Sequence, residues 1–373
     1  GAYKQGTIFE YDMANNLYND NFSFGGSNGS KPTGSLVEAA NGLLYGMTNE
    51  GGVNDMGVVF SFDPETHQYQ KLFNLANYEL GNPNGSLTID ENGHLWGLTM
   101  VGPGEFGGMI YEGFGAAFDY NPQTGTVGIK TLAPLEDGAY PSGTLIQTLP
   151  SELLYGVTAE GPVMFTGEFD EYNMNGGTVF YTSPDDQIST VYTFELGNPN
   201  NGLHPIGGLV LAQNDKLYGL TSEGGINYAG VLYEVNPSTN AVVKKKDLDV
   251  ELNGSVPLGP MMVTCNGALL GMTSEGGEFG YGTIFRYDAA TNTLTKTHDF
   301  DVTSGAYPKY STLTEVPAVL RITDQPDDAV VCRESDQSVS VDATGNNLAY
   351  QWQNSHGSGF TNISNQGVFN GAA

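Results

Sequence analysis

Leu269-Leu270-Gly271-Met272-Thr273-Ser274-Glu275-Gly276-Gly277, followed after four residues by Gly282-Thr283-Ile284-Phe285, decides the fold because the same text recurs along the chain. Gly-Thr-x-Phe or a close variant begins at Gly6, Gly57, Gly115, Gly177, Gly230 and Gly282, at intervals of 51 to 62 residues. Leu-Tyr-Gly-x-Thr starts at Leu44, Leu95 (with Trp96), Leu154, Leu217 and Leu269 (with Leu270). A third motif, Pro-x-Gly before an apolar run, starts at Pro32, Pro83, Pro141, Pro205, Pro257 and, with Tyr310 for Gly, at Pro308. A period of this length is the mark of a repeat architecture.

Each repeat reads as four short strands. In the first full copy they are A at 35–39, B at 43–48, C at 57–63 and D at 69–75. Asn41-Gly42 between A and B predicts a type I′ hairpin turn, as do Asn92-Gly93 and Asn266-Gly267. Four antiparallel strands repeated six times, with one longer crossover per unit, predict an all-β six-bladed β-propeller over residues 1–316. A β-solenoid is the rival, with shorter rungs and no A–B hairpin. Strand B occurs five times against six for A and C, so the last strand A, 311–316, is expected to complete a blade begun by the N-terminal strands. Native residues are then expected before Gly1.

Composition supports short strands and turns: 52 Gly, 18 Pro, 21 Tyr and 18 Phe, with 15% charged residues. The formal net charge of −29 argues against nucleic acid and anionic membrane surfaces as partners. Such acidity suits a Gly-rich surface kept soluble outside the cell, or a Ca²⁺ site among loop carboxylates. No apolar run is long enough to span a membrane, and direct membrane insertion is not expected. Cys265 follows the apolar run 261–264 and reads as a small buried side chain; it is not paired with Cys332.

The text Leu-Tyr-Gly-Met-Thr-Ser-Glu-Gly-Gly leading to Gly-Thr-Ile-Phe resembles the GloVer (Gloeo_Verruco) tandem repeat of secreted bacterial proteins, with 269–285 a near match. The resemblance implies a secreted or bacterial cell-surface protein, handled by secretion or surface-anchoring machinery such as type IX secretion. It implies no established catalytic residues.

The pattern stops after Val316. Residues 317–321 read as a linker, and 322–373 as a truncated Ig-like domain. Ile322-Thr323-Asp324-Gln325-Pro326, Val331-Cys332, 339–341 and Tyr350-Gln351-Trp352-Gln353 resemble the front half of a bacterial immunoglobulin-like domain. In that family a core Trp packs near a disulfide, roles that Trp352 and Cys332 would take. These 52 residues are half of what the fold needs, so the natural polypeptide is expected to continue.

Groups repeated around a ring belong to its architecture. Glu50, Glu160, Glu223 and Glu275 are read so, and Gly46, Gly97, Gly156, Gly219 and Gly271 are expected to allow close strand contact. Function is sought where the repetition breaks. The B–C loop has eight residues at 49–56, 222–229 and 274–281, but fifteen at 100–114 and eighteen at 159–176. The first insertion carries Glu105, Phe106, Met109, Tyr111, Glu112 and Phe114; the second carries Met164, Phe165, Glu168, Phe169, Asp170, Glu171 and Tyr172. Rings beside carboxylates suit sugar binding, the rings stacking on CH faces and the carboxylates accepting hydroxyl protons. The competing reading folds the rings back as a plug or a blade cover. Glu168, Asp170 and Glu171 are the candidate Ca²⁺ ligands, without the spacing of an EF-hand loop.

The five histidines are scattered, and no phosphate-binding loop or nucleophile elbow is present. The expected function is a non-catalytic module binding an extracellular glycan or surface polymer, or serving adhesion. The alternatives are a polysaccharide hydrolase or lyase using the loop carboxylates, and a structural spacer of a large adhesin.

Overall fold

The computed structural model describes residues 1–12, 15–103, 105–106, 109–110, 114–133, 136–165, 172–174, 176–183, 187–309, 311–314, 321–324, 342–344, 353–355 and 360–362. The chain divides into two compact units, Gly1–Leu313 and Thr314–Ala373.

The first unit is all-β; helix among its described residues is limited to four 3₁₀ turns. β1 (Thr7–Asp12) and β2 (Leu17–Ser23) form a two-stranded sheet. β3 (Val37–Glu38), β4 (Leu44–Thr48), β5 (Val58–Phe62) and β6 (Tyr69–Asn74) make the first complete sheet, antiparallel and paired in chain order. In the next, the first strand is split into β7 (Gly81–Pro83) and β8 (Thr88–Ile89), both paired with β9 (Leu95–Val101). A separate hairpin, β10 (Glu105–Phe106) and β11 (Met109–Ile110), precedes β12 (Ala116–Tyr120) and β13 (Val127–Thr131).

The third complete sheet has β14 (Ala139–Thr148) and β15 (Leu153–Glu160), then an inserted hairpin of β16 (Val163–Phe165) and β17 (Tyr172–Met174), then β18 (Thr178–Thr182) and β19 (Ser189–Thr193). β20 (Leu203–Leu211), β21 (Leu217–Glu223), β22 (Val231–Asn236) and β23 (Ala241–Asp247) form the fourth. β24 (Met262–Val263), β25 (Leu269–Thr273), β26 (Thr283–Asp288) and β27 (Thr293–Asp299) form the fifth. In the second unit β28 (Arg321–Asp324) pairs with β29 (Asp342–Thr344), and β30 (Gln353–Ser355) with β31 (Phe360–Asn362). Trp352, Cys332, Val331 and 339–341, on which the immunoglobulin-like reading rests, lie outside the described residues.

Each recurring residue has a local task. The threonine of Leu-Tyr-Gly-x-Thr on the second strand is fully buried, and in four sheets its hydroxyl bridges the two ends of the following connection. Thr221 Oγ1 donates to Glu223 O at 2.9 Å and accepts the Val231 N–H at 3.0 Å. Thr48, Thr158 and Thr273 make the same pair of bonds. The recurrent glutamate therefore serves this lock through its backbone carbonyl.

The second-strand glycine lies directly opposite the aromatic of Gly-Thr-x-Phe: Gly46 opposite Phe60, Gly97 opposite Phe118, Gly156 opposite Phe180, Gly219 opposite Tyr233 and Gly271 opposite Phe285. The ring lies over the glycine, so a Cβ there would fall 2.3 to 2.7 Å from a ring or hydroxyl atom. Close strand contact, the expected reason for these glycines, is replaced by ring packing. A one-residue register shift just before the aromatic, in five of the six units, accompanies the placement of the ring.

Five junctions between neighbouring sheets share one device, which occurs a sixth time where Tyr307 follows the fifth complete sheet. The residue before each motif proline has positive φ, 50° to 58°, at Lys31, Asn82, Tyr140, His204, Val256 and Tyr307. Its N–H donates to the carbonyl before the Gly-Thr-x-Phe glycine of the preceding unit, at Gln5, Met56, Phe114, Gly176, Ala229 and Tyr281, over 2.5 to 3.3 Å. Left-handed backbone costs a non-glycine residue about 1 kcal/mol; the hydrogen bond offsets a cost of that size. The segments after the motif prolines approach one another in turn at Gly34 and Gly85, Gly85 and Gly143, Gly143 and Gly208, Gly207 and Gly259, and Gly259 and Ser311, although the strand expected at 311–316 is not formed over its described residues 311–314. The apolar core fills the seams, as where Tyr45, Val59 and Phe73 of one sheet meet Leu95 and Phe118 of the next.

Two sequence readings are corrected. The Asn-Gly hairpins are not type I′, because only the glycine has positive φ: Gly42, Gly93 and Gly267 lie at 78°, 79° and 82°. Gly42 N–H donates to Ala39 O, which makes a type I turn closed by a left-handed glycine. Cys265 is exposed rather than buried, because β24 ends at Val263 and the cysteine falls on the turn bridged from Gly267 N to Thr264 O.

Tyr233 stands where four other complete sheets have Phe. Its ring is buried, its hydroxyl has no hydrogen-bond partner, and burial raises its pKa. An unsatisfied buried hydroxyl costs about 1–3 kcal/mol. Tyr233→Phe should therefore stabilise the chain, raising the thermal midpoint by about 2–4 °C; an unchanged or lowered midpoint in calorimetry would show that the hydroxyl is satisfied.

Candidate binding site

Both enlarged connections fold into hairpin arms rather than open loops. In the first, Glu105 pairs with Ile110 and Phe106 with Met109. In the second, Val163 pairs with Met174, Met164 with Asn173 and Phe165 with Tyr172.

Their roots lie on one hydrogen-bonded line. Phe114, ending the first insertion, accepts the Tyr140 N–H at 2.8 Å. Ala139, beside it, pairs with Glu160, where the second insertion begins. At the far side His204 donates its backbone N–H to Gly176 O at 2.5 Å, and its Nδ1 lies 2.9 Å from Ala159 O. His204 thus ties together the two ends of the second arm, and Tyr140 stands between the arms with 39% of its surface exposed.

Of the expected ligand residues, Phe114 sits half-buried at a root. Glu105, Phe106, Met164, Phe165 and Tyr172 occupy the register positions given above. Tyr111, Glu112, Glu168, Phe169 and Asp170 lie outside the described residues, as does Glu171, so the expected Ca²⁺ ligands do too. Among the described residues no group of three or more His, Cys, Asp or Glu is placed to hold a metal ion.

Sequence reasoning missed His204 and Tyr140, and gave Glu160 only an architectural role. His204 Nδ1 lies 3.7 Å from Glu160 Oε1. Burial raises the Glu160 pKa, while the nearby His204 acts to lower it. Glu160 and His204 therefore stand side by side at the foot of the second arm. The signal that could have found it is the X-Pro dipeptide. Its backbone geometry repeats six times, but the side chain does not: Lys31, Asn82, Tyr140, His204, Val256 and Tyr307 span five residue types, and none is buried.

A concave surface of 310 Å³ lies at the opposite strand ends, among the turns that carry Gln213, Asn214, Asn266 and Asp288. Asn214 is already spent on the Tyr218 hydroxyl and Gln213 on Cys265 O. The aromatic content of the arms is absent there.

No curated protein matches the chain. Among solved structures it is similar to TolB from Acinetobacter baumannii, at 8% identity and a TM-score of 0.42, over 79% of this chain and 59% of that one. This chain therefore spans less than two thirds of that protein's length. The model of the Gloeobacter/Verrucomicrobia repeat matches residues 1–169 and 112–323, which together take in every recurrence described above. The chain belongs to the Gloeobacter/Verrucomicrobia repeat family.

Proposed function

We propose that this chain is a non-catalytic binding module, a six-bladed propeller at the bacterial surface or outside the cell, which holds an extracellular glycan or surface polymer against its two hairpin arms. The observation that carries the reading is the common root line: both insertions interrupt neighbouring units, and Phe114, Tyr140, Glu160 and His204 line up where the first ends and the second begins. The recurrent Thr, Gly and aromatic residues are occupied in holding the sheets, which leaves the arms as the part free to vary. Five like links between successive sheets, with a sixth from Tyr307 to Tyr281 and close approaches running in sequence from Gly34 to Ser311, support closure into a ring. Glu168, Asp170 and Glu171 could brace the second arm through a Ca²⁺ ion.

A net charge of −29 disfavours polyanions, so neutral or cationic polysaccharides should bind better than sulfated ones at low salt. Affinity electrophoresis against a polysaccharide panel tests the reading. Cutting residues 100–114 to the eight-residue length of 49–56 should weaken binding at least about tenfold, the equivalent of 1.4 kcal/mol. Undiminished binding would remove the arms from the site, and release of new reducing ends would replace a binding module by a hydrolase.

A further inference from the structure

Loops of one repeated length need not carry the same surface, and on the fourth and fifth complete sheets they hold apolar side chains out to solvent. The connection 222–229 between β21 and β22 exposes Ile226 (66%) and Tyr228 (76%), the connection 274–281 between β25 and β26 exposes Phe279 (52%), and the crossover that follows β23 exposes Leu252 (66%). The crossover has a built turn. The Asp249 carboxylate accepts the N–H groups of Glu251 and Leu252, both at 3.0 Å, just after the buried Leu248. In the first complete sheet the counterpart of Leu248 is Leu75, and four residues beyond it stands Glu79 where the later crossover has Leu252.

These three segments lie side by side. On one flank Asn227 Nδ2 donates to Leu248 O at 3.0 Å, and the Ile226 N–H to the Asp247 carboxylate at 2.9 Å. On the other, the Gly277 N–H donates to Val250 O at 2.7 Å, and the Glu278 N–H to the Asp299 carboxylate at 2.8 Å. Leu252 therefore lies on the segment held between those that carry Ile226 and Phe279.

Charge of one sign surrounds this apolar row. Residues 222–229, 248–254 and 274–281 contain Glu223, Asp249, Glu251, Glu275 and Glu278 and no Lys, Arg or His. Lys244 on β23 and Lys296 on β27 are each paired with an aspartate, Asp247 at 3.0 Å and Asp299 at 2.9 Å. An apolar centre within a charged rim is the anatomy of a protein interface. Aliphatic Ile226 and Leu252 offer a sugar neither a stacking ring nor a hydroxyl acceptor, which separates this patch from the arms. A second copy of the chain, itself at −29, would bring like charge against like.

We infer that this patch docks a protein segment carrying aliphatic side chains flanked by lysine or arginine. The aliphatic groups would cover Ile226, Leu252 and Phe279, while the cations pair with the surrounding carboxylates and lie over the Tyr228 ring.

Titration of the whole chain with synthetic peptides of equal length, followed by fluorescence anisotropy, tests the inference. A peptide of alternating lysine and leucine should bind at least about tenfold more tightly than one of alternating lysine and serine, and one of alternating glutamate and leucine should not bind. Leu252→Ser and Phe279→Ser lie at exposed positions, and each should weaken binding of the lysine-leucine peptide about tenfold at an unchanged thermal midpoint. Val53→Ser, on the equivalent loop of the first complete sheet, should leave it unchanged. Amides of 224–228, 250–253 and 277–280 should exchange more slowly in the complex. Equal binding of the two lysine peptides would reduce the attraction to net charge and overturn the inference, as would undiminished binding by Leu252→Ser and Phe279→Ser. Loss of polysaccharide retention in these two variants would assign the patch to the polymer, and self-association of the unmodified chain in sedimentation, abolished by Leu252→Ser, would assign it to a second copy; either result also overturns the inference.

Discussion

Gly156→Ala is expected to lower stability by about 2–3 kcal/mol, although alanine is intrinsically better suited than glycine to a strand interior. The new methyl would stand 2.6 Å from Phe180 Cζ and 2.8 Å from Leu145 Cδ2. Neither neighbour can give way, because both lie in one buried cluster with Trp96, Leu98, Ala117 and Leu154. The Phe180 ring cannot leave without exposing its own apolar surface, worth about 25 cal/mol per Å². Strand propensity returns about 0.5–1 kcal/mol, which is smaller than the overlap cost. Two controls isolate the cause. Gly93→Ala has no heavy atom within 4 Å and should cost only the left-handed backbone, about 1 kcal/mol. Phe180→Leu should cost stability alone yet make Gly156→Ala less harmful, a coupling that a double-mutant cycle reads directly. Additive losses, or a stabilising Gly156→Ala, would show that the ring does not determine the glycine.

This glycine also marks what can be read from the amino-acid text. The strands were legible because Thr, Gly and Phe carry the architecture in their side chains, and side-chain identity is what a repeat displays. The residue before each motif proline was not legible. Its constraint acts on φ and on one N–H, so Lys31, His204 and Val256 satisfy it equally while sharing no chemical feature. The A–B turn was misread for a related reason. Asn41-Gly42 matches the dipeptide of a type I′ hairpin, but the fourth sheet has Asp215 in the left-handed position at φ 58°, closing on Ala212 O. Four hairpins of one geometry therefore accept Gly or Asp at the third loop position.

The arms were located from their length but not recognised as hairpins. Their residues lack the regular apolar and polar alternation of a half-buried strand. Gly107-Gly108, the two residues between Phe106 and Met109, was the available signal for the first. Of the site, the insertions could be found because they lengthen a repeated segment. Tyr140 and His204 lie at unlengthened positions in neighbouring units, and only the pairing of strands from different units brings them to the roots.

Thr158→Val should cost about 2–4 kcal/mol and, unlike the equivalent change elsewhere, should also weaken polymer binding. The side chain is fully buried, and valine preserves its shape while removing the hydroxyl. Glu160 O then loses a part-buried bond at 2.8 Å, and the buried Thr178 N–H loses its acceptor at 3.0 Å, an unsatisfied group worth about 1–3 kcal/mol. The Thr178 hydroxyl, 2.7 Å from Thr158 Oγ1, keeps its bond to Asp137 O and so limits the loss. Glu160 and Thr178 flank the second arm on its two sides, so this hydroxyl clamps the arm at its base beside His204. Thr273→Val removes the corresponding clamp from a sheet whose connection has only eight residues. The two variants should lose similar stability, whereas faster amide exchange across 172–174 and a lower affinity for polysaccharide should follow only from the first. If both reduce binding equally, the clamp acts through global stability; if Thr158→Val leaves binding intact, the second arm does not form the site. Thr158→Ser, which retains the hydroxyl, should recover the exchange rates and most of the stability.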